Sequence, residues 1–252
     1  MSLRIARVRR QLADLEADAL LLTSMPNVRW ACGFTGSNGL LLVGPEAAHF
    51  VTDGRYTDQA RSEVEGADVH IADEGLSTLL DEEQLLSPYS AVAFQSDVVS
   101  VARRDEWAET HASVSWVPVP GVLAQDVAAK DEEEVDQIRA AQSITEDVFS
   151  QIIDYVEPGK TEREVAAEIV YGHLRRGADS MSFDPIVASG PNAARPHARP
   201  TDRVLREGEL VVIDMGGVRE GYASDMTRTV ALGDPGATAR RGYEAVLRAQ
   251  EA

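Results

Sequence analysis

The sequence predicts an α/β fold arranged as two successive units. Over the first half, short apolar stretches bounded by glycine and proline alternate with amphipathic stretches, which is the pattern of strands interleaved with helices. This periodicity is lost over residues 118–129, which contain two prolines and a glycine, and a long helical pattern follows. At 252 residues, the chain is long enough for each unit to bury a core. We therefore expect a first domain over residues 1–124 and a second over residues 125–252.

The first domain is expected to alternate helices and strands. It begins with a helix, because Leu3, Val8, Leu12 and Leu15 recur at helical spacing. A glycine-rich segment, residues 33–39, lacks the Gly-Lys-Ser/Thr ending of a phosphate-binding loop and is interpreted as a turn that leads into a strand. The expected helices are residues 3–16, 55–64 and 99–110, and the expected strands are residues 19–22, 39–43, 48–52, 69–71, 91–94 and 113–117.

The second domain is expected to open with two helices. Acidic side chains fill the first turn of the first helix, where they interact favourably with the helix dipole. Thr161 and Glu164 have the spacing of a capping box that starts the second helix, and Gly177 is placed to end it. The expected helices are residues 131–156, a second one starting at residue 161 and a last one over residues 237–252, and the expected strands are residues 186–188, 210–213 and 222–230.

The charge balance argues against two classes of partner. The chain has 42 Asp and Glu against 24 Lys and Arg, a net charge of −18. Nonspecific binding to nucleic acid or to an anionic membrane needs a basic surface, so neither is expected. No apolar stretch approaches the ~20 residues of a membrane span, and no cleavable signal is recognisable. With a single cysteine, Cys32, an internal disulfide is excluded, and we expect a cytoplasmic protein.

The basic residues are almost all arginine. Only Lys130 and Lys160 are lysines. An acidic, lysine-poor surface would suit a high-salt cytoplasm, and a GC-rich coding bias toward arginine explains the scarcity of lysine equally well. Both explanations stay open.

Two aspartates eleven positions apart, Asp214 and Asp225, carry the main chemical signal. An apolar stretch, residues 210–213, ends in the first of them, which indicates a buried strand that delivers a carboxylate to the floor of a cavity. Glycines follow, notably Gly221, so a hairpin can bring both carboxylates together. Two carboxylates without basic neighbours favour a hard or borderline divalent ion. An ion pair with Arg228 and a solvated hairpin turn are the alternatives.

A turn-rich loop, residues 189–198, contains His197 seventeen positions before Asp214, close enough for loop and hairpin to line one cleft. A histidine there can donate a hydrogen bond to a carbonyl oxygen or to a tetrahedral oxyanion. The alternative is a histidine on a surface loop. The other four histidines have no carboxylate motif around them and are interpreted as solvated or packing residues: His49, His70, His111 and His173.

Several separate motifs together resemble one family. In the first domain they are residues 27–39 and 52–60, and in the second they are residues 182–190, Pro196-His197, residues 213–216 and residues 221–229. In this order they are similar to the proline-specific metallopeptidases, which comprise Xaa-Pro dipeptidases and aminopeptidases P. The resemblance implies a creatinase-type N-terminal α/β domain followed by the first part of a pita-bread (α+β) catalytic domain.

The resemblance also implies roles for three residues. Asp214 matches an aspartate that binds one metal ion of a pair, and Asp225 matches one that bridges both ions. His197 matches a histidine that assists at the substrate carbonyl and its oxyanion. Two divalent ions (Mn, Co or Zn) would lower the pKa of a bridging water and polarise the scissile carbonyl. The implied substrates are peptides with proline at the second position, and the implied assembly is a homodimer.

The chain departs from the family pattern in one respect. That pattern needs three further ligands, a histidine and two glutamates, downstream of the aspartate pair. Residues 226–252 contain no histidine, and Glu244 and Glu251 fall on an expected helix rather than on strands. Because two carboxylates alone would hold a divalent ion weakly, we expect a chain truncated at its C-terminus and catalytically incomplete.

Two other readings of the same motifs remain open. One is a non-catalytic pita-bread protein that binds a peptide or protein partner. The other is a metal-free hydrolase similar to creatinase. Asp214, Asp225 and His197 disfavour both, because neither reading has a use for a bridging carboxylate.

Overall fold

The computed structural model describes residues 3–252. They form two compact units, the first ending at Ala129 and the second starting at Lys130. Each unit has its own hydrophobic core. Within the described residues, no helix combines the length and the apolar character needed to cross a membrane.

The first unit is an α/β structure built on a six-stranded sheet. Its helices are α1 (Leu3–Gln11), α2 (Met25–Cys32), α3 (Thr57–Glu63), α4 (Leu76–Glu82), α5 (Val101–Thr110) and α6 (Ala124–Ala128). Its strands are β1 (Ala19–Leu22), β2 (Leu40–Val43), β3 (Ala48–Asp53), β4 (Asp68–Ala72), β5 (Ala91–Gln95) and β6 (Ser115–Val119). They lie in the order β4-β3-β2-β1-β5-β6, with β2 antiparallel to both its neighbours and every other pair parallel.

Both faces of this sheet are covered, which explains its continuous apolar strands. Leu20 and Leu22 of β1 pack into one core with residues of α1 and α2. Ala19 and Leu21 of the same strand pack into a second core with residues of α4 and α5. Side chains alternate between the faces of a strand, so a strand buried on both faces must be apolar at every position.

The first unit confirms the expected alternation of helices and strands and differs from it in detail. α1 ends at Gln11 and is followed by turns, so the expected helix over residues 3–16 is too long. α2, α4 and α6 lie in segments without an expected element. A proline at the first turn of α2 suits a helix start as well as a loop, and α4 has only seven residues, too few to show a helical period.

The second unit combines helices with two small antiparallel sheets. Its helices are α7 (Glu132–Tyr155), α8 (Glu162–Arg175) and α9 (Gly236–Gln250). Its strands are β7 (Ser180–Met181), β8 (Ile186–Ser189), β9 (Leu210–Met215), β10 (Gly217–Arg219), β11 (Tyr222–Ala223) and β12 (Met226–Ala231). One sheet has the order β12-β9-β8 and the other the order β11-β10-β7.

Local sequence determines where α7 and α8 begin. The side chain of Asp131 accepts a hydrogen bond from the backbone N–H of Glu134, and the side chain of Thr161 accepts one from that of Glu164. The side chains of Glu134 and Glu164 in turn accept hydrogen bonds from the backbone N–H groups of Asp131 and Thr161. Each pair is a capping box, which confirms the prediction at Thr161. Gly177, with φ of +87°, follows the end of α8 in the left-handed conformation that glycine favours.

The core of the second unit lies against one face of β9. Val211, Ile213 and Met215 are fully buried there, together with apolar residues of α7 and α8. Val212 and Asp214 alternate with them and are partly exposed. β9 is therefore buried on one face only, and it presents Asp214 on the face that points away from this core.

Candidate functional site

One hairpin, built from β9–β10 and β11–β12, carries both predicted aspartates. Its turn is Glu220-Gly221, enclosed by the paired residues Arg219 and Tyr222. Both turn residues have positive φ, 49° and 75°. This is the type I′ geometry, whose twist matches that of the two strands. The predicted reversal at Gly221 is confirmed.

The strand register places the two aspartates on one face of the hairpin. Asp214 is paired with Thr227. The pairs on either side of Asp225, Met215 with Met226 and Val218 with Ala223, share one register, and this register sets Asp225 opposite Gly216. Because side chains alternate between faces, Asp214 and Asp225 lie on the same face as diagonal neighbours on adjacent strands. Such neighbours are about 7–8 Å apart, so both carboxylates can reach a shared ion or a pair of ions.

Neither aspartate has a basic partner within residues 3–252. Asp214 accepts a hydrogen bond from Thr227 Oγ1 at 2.7 Å. Asp225 is exposed and forms no hydrogen bond or ion pair in the described part of the chain. Arg228 falls on the opposite face by alternation, and its Nη1 donates to Thr227 O at 2.8 Å. The ion-pair alternative is therefore wrong for the described residues. Asp214 is partly exposed there and Asp225 is exposed.

A buried chain of hydrogen bonds anchors the residue just before Asp225. Ser224 Oγ lies 2.7 Å from Thr145 Oγ1, which in turn lies 3.0 Å from His173 Nε2. His173 Nδ1 is 2.9 Å from the carbonyl oxygen of Ile169. Since a carbonyl only accepts, Nδ1 carries the proton and Nε2 is the acceptor in the neutral ring. Ser224 then donates to Thr145, and Thr145 donates to His173.

This chain joins α7, α8 and the hairpin inside the second unit. Thr145, His173 and Ser224 are all buried. Burial lowers the pKa of His173, the carbonyl of Ile169 opposes burial with a smaller effect, and the charge of Arg176 adds the smallest effect, a further lowering. The imidazole is therefore neutral at neutral pH, which is consistent with the acceptor role assigned to Nε2. The interpretation of His173 as a packing residue is confirmed.

Two glycines let the hairpin pass close to this network. A Cβ on Gly216 would lie 2.0 Å from Ser224 O. A Cβ on Gly217 would lie 2.8 Å from His173 Cδ2. Neither position has room for a side chain, so Gly216 allows close approach of the two arms of the hairpin and Gly217 allows close approach of the hairpin to His173 of α8.

His197 lies on a loop that leaves β8 at Ser189. We call residues 190–200 the histidine loop. Ser189 is paired with Val211, whereas Asp214 is paired with Ile186, so the loop starts at the other end of β9 from Asp214. His197 is exposed and forms no hydrogen bond with either aspartate within the described residues. The hairpin thus brings the two aspartates together, and His197 remains on a separate loop of the same unit.

One residue that sequence reasoning missed organises the histidine loop. Glu162, in the first turn of α8, is fully buried. Its carboxylate accepts hydrogen bonds from Ser189, Asn192 and Thr201, which lie within or beside the loop. An acidic residue in a first turn is explained by the helix dipole alone, so its sequence position gave no signal of this role.

Glu162 is ionised despite its burial. Burial by itself would raise its pKa, but hydrogen bonds from Thr201, Ser189 and Asn192 together outweigh burial and hold the pKa below its ordinary value. Arg203 brings positive charge to the same place, since its Nη1 donates to Ser189 Oγ at 2.6 Å. The buried negative charge is thus compensated from several directions.

Cys32, the single cysteine of the chain, does not offer a competing nucleophile. Burial raises the pKa of the Cys32 thiol to about 11, against a smaller opposing effect of the Phe34 backbone. Such a thiol is a poor nucleophile. Within residues 3–252, no group of three or more His, Cys, Asp or Glu side chains is arranged to hold a metal ion. Asp214 and Asp225 fit the oxygen chemistry of a divalent ion but supply only part of a coordination shell.

Comparisons with known proteins identify both units. The profile of the creatinase/prolidase N-terminal domain matches residues 4–126, and that of metallopeptidase family M24 matches residues 136–252. A creatinase/prolidase N-terminal domain followed by a family M24 domain defines a pita-bread metallopeptidase. The chain belongs to metallopeptidase family M24. The resemblance expected from the motifs is confirmed.

Three relatives illustrate the likeness. The chain is 33% identical over 250 residues to the uncharacterized peptidase YqhT of Bacillus subtilis, covering 98% of this chain and 70% of that protein. It is 32% identical over 243 residues to the Xaa-Pro dipeptidase of Pyrococcus horikoshii, covering 93% of this chain and 65% of that protein. Its structure resembles that of an Xaa-Pro dipeptidase from Bacillus anthracis with a TM-score of 0.92, at 29% identity, covering 98% of this chain and 69% of the other. This chain therefore spans about two thirds of the length of each relative.

Proposed function

We propose that this protein hydrolyses the bond between an N-terminal residue and a following proline in dipeptides or longer peptides. The observation that carries the proposal is the hairpin. Asp214 and Asp225 share one face and have no basic partner within residues 3–252, in a chain that is 32% identical to an Xaa-Pro dipeptidase. Two neighbouring carboxylates repel each other unless a cation lies between them, which favours a metal site over a surface turn.

In this proposal Asp214 and Asp225 would hold divalent ions, Mn, Co or Zn, two in the complete enzyme. Ions bound there would supply Lewis acidity and an activated water. Thr227 donates to Oδ1 of Asp214, which orients that carboxylate and leaves Oδ2 free for a ligand. His197 donates a hydrogen bond to the substrate carbonyl oxygen and stabilises the negative charge that develops on it. The tertiary amide before proline has no N–H, so recognition must come from a pocket shaped for the pyrrolidine ring.

We also propose that residues 1–252 alone do not complete the site. A hard divalent ion takes about six ligands or more, and two carboxylates would leave most positions to water. We expect binding in the millimolar range for such an open site. A homodimer and a cytoplasmic location complete the proposal. The buried, unreactive Cys32 is compatible with a reducing compartment.

The test is an assay of the product of the complete reading frame, loaded with Mn²⁺. Substrates are Ala-Pro, the longer peptide Ala-Pro-Ala and the matched control Ala-Ala. We expect cleavage only before proline, and a loss of more than about 100-fold in kcat/KM for Asp214→Asn and Asp225→Asn. Asp154→Asn, which changes an exposed aspartate on α7, should have no effect. Equal cleavage of Ala-Ala would refute the specificity, and active aspartate variants would refute the metal role.

A parallel assay addresses the 252-residue chain by itself. We expect no turnover above that of Mn²⁺ in buffer. Robust turnover by this chain would refute the proposed incompleteness. The alternative function, non-catalytic binding of a peptide or protein, would instead show peptide affinity without turnover or metal in the product of the complete reading frame.

A further inference from the structure

Glu162 makes far more hydrogen bonds than a helix start requires. Its Oε1 accepts from Ser189 N at 2.8 Å, Ser189 Oγ at 2.8 Å and Asn192 Nδ2 at 3.1 Å. Its Oε2 accepts from Thr201 N at 3.0 Å, Thr201 Oγ1 at 2.7 Å and Asn192 Nδ2 at 3.1 Å. The donors divide evenly between the two oxygens, and each oxygen receives one backbone N–H.

Helix capping does not explain this carboxylate. The capping box of α8 is formed by Thr161 and Glu164, and Glu164 is exposed. Glu162 is 0% exposed, and burial of a carboxylate is costly unless specific donors meet it. All six bonds come from Ser189 and Thr201, which flank the histidine loop, and from Asn192 within it. The carboxylate therefore acts as a common anchor for the entry and exit of the loop.

A short path of hydrogen bonds leads from this anchor to the residue beside His197. The side-chain amide of Asn192 donates to the carboxylate of Glu162. The backbone carbonyl of Asn192 accepts a hydrogen bond from Arg195 N at 2.9 Å. The carbonyl of Arg195 accepts from Ala198 N at 3.2 Å. Two successive turns thus connect the carboxylate to the backbone at His197, whose exposed side chain has no hydrogen bond of its own within residues 3–252.

We propose that Glu162 is a positioning residue that fixes the histidine loop, and with it His197, for the reaction. This inference rests on the role proposed above for His197. An exposed histidine can meet a substrate oxygen in one geometry only if its backbone is fixed. Here the carboxylate of Glu162 binds the backbone on both sides of the histidine loop, at Ser189 N and Thr201 N. Loss of that charge should release the loop while leaving α8 intact.

The even division of donors makes Glu162→Gln a sharp perturbation. Glutamine keeps one acceptor oxygen and replaces the other by an NH₂ group that donates. Hydroxyl and amide side chains can rotate to suit it, but backbone N–H groups cannot. The NH₂ must therefore face the N–H of either Ser189 or Thr201, and one end of the loop should be released. Glu162→Ala should remove the carboxylate bonds at both ends and leave the backbone of Ser189 held by its pairing with Val211 and that of Thr201 by Arg163 N.

The first test is amide hydrogen exchange and ¹⁵N relaxation on the 252-residue chain. In Glu162→Gln we expect exchange to speed up at least about tenfold at Ser189 or Thr201, because a buried donor loses its partner. Residues 190–200 should gain fast motion. The matched control is Glu164→Gln in the same helical turn, where glutamine can still serve the capping box. The control should leave both amides unchanged, and unchanged amides in Glu162→Gln would overturn the proposal.

The second test is a double-mutant cycle in the Mn²⁺-loaded product of the complete reading frame. We expect Glu162→Gln to lower kcat more than it raises KM. Combined with His197→Ala, it should cause no loss beyond that of His197→Ala alone, because both changes remove the same function. Additive losses would show that Glu162 does not act through His197 and would overturn the proposal. If the wild-type enzyme cleaves nothing, the proposed function fails, and the relaxation data still decide whether Glu162 fixes the loop.

Discussion

Replacing Gly216 by alanine should separate the two arms of the aspartate hairpin. The new Cβ would lie 2.0 Å from Ser224 O. The closest ordinary carbon–oxygen contacts are near 3.3 Å, so the arms must move apart by about 1.3 Å. The displaced backbone lies between Asp214 and Asp225, and the substitution therefore tests whether close approach of the arms holds this part of the site together.

The magnitude follows from the hydrogen bonds that cross this point. Ser224 N donates to Gly217 O at 2.9 Å, and Ser182 N donates to Gly216 O at 3.0 Å. Ser182 Oγ donates to Ser224 O at 2.8 Å. A shift of this size breaks all three, at about 1 kcal/mol each. We expect Gly216→Ala to lower the free energy of unfolding of the second unit by about 3 kcal/mol, a shift of roughly 1.5 M in the urea midpoint.

Urea unfolding followed by two probes measures this effect. All three tryptophans, Trp30, Trp107 and Trp116, lie in the first unit, so tryptophan fluorescence reports that unit and far-UV circular dichroism reports both. Only the circular dichroism transition should shift. The matched control is Gly242→Ala in α9, where a Cβ meets nothing within 4 Å. It should stabilise by about 0.5–1 kcal/mol, because alanine favours a helix interior.

A small effect of Gly216→Ala on the free energy of unfolding would refute this prediction. A midpoint for Gly216→Ala within about 0.5 M of the wild type would show that the arms relax without losing their hydrogen bonds. An equal shift of the fluorescence transition would show that the effect is not confined to the second unit.

Three further predictions concern the buried network and the surface. Thr145→Val removes the hydroxyl between His173 and Ser224, so two buried groups lose their partner. In urea unfolding it should lower the free energy of unfolding of the second unit by about 1–3 kcal/mol. The control Ser143→Ala, on an exposed part of α7, should leave this free energy unchanged. The stability of the second unit should be full above about pH 6.5 and should fall as the pH drops through the lowered pKa of His173, because the unfolded chain binds that proton more readily. Hydrogen exchange of the α8 amides measures this effect. Exchange rates that stay constant from pH 7.5 to 5, after correction for intrinsic exchange, would contradict it. If the acidic surface is an adaptation to salt, the thermal midpoint should rise steadily into molar KCl, whereas a maximum in dilute buffer would favour coding bias.

Features set by neighbouring residues could be predicted from the sequence. The capping box at Thr161 and Glu164 depends on a three-residue spacing, and the reversal at Gly221 depends on one residue that tolerates positive φ. The order of strands and helices in the first unit follows from periodicity. The family resemblance rests on motifs of a few residues each, which are also local.

Features that depend on distant residues could not be predicted. Glu162 meets Ser189 and Thr201, which lie 27 and 39 positions away. Thr145 meets Ser224 across 79 positions. No spacing rule links such residues before the fold is known. The partial exposure of Asp214 was not predicted either, because an apolar strand that is buried on one face resembles one buried on both.

The central claim is that Asp214 and Asp225 form part of a divalent metal site, and Mn²⁺ titration of the ¹⁵N-labelled 252-residue chain tests it most directly. Bound Mn²⁺ broadens the amide signals of nearby residues. We expect broadening to start around residues 214–216 and 225–227. Asp225→Asn should abolish it, and Asp154→Asn should leave it unchanged. Broadening that begins at other acidic residues, or that persists undiminished in Asp225→Asn, would contradict the account.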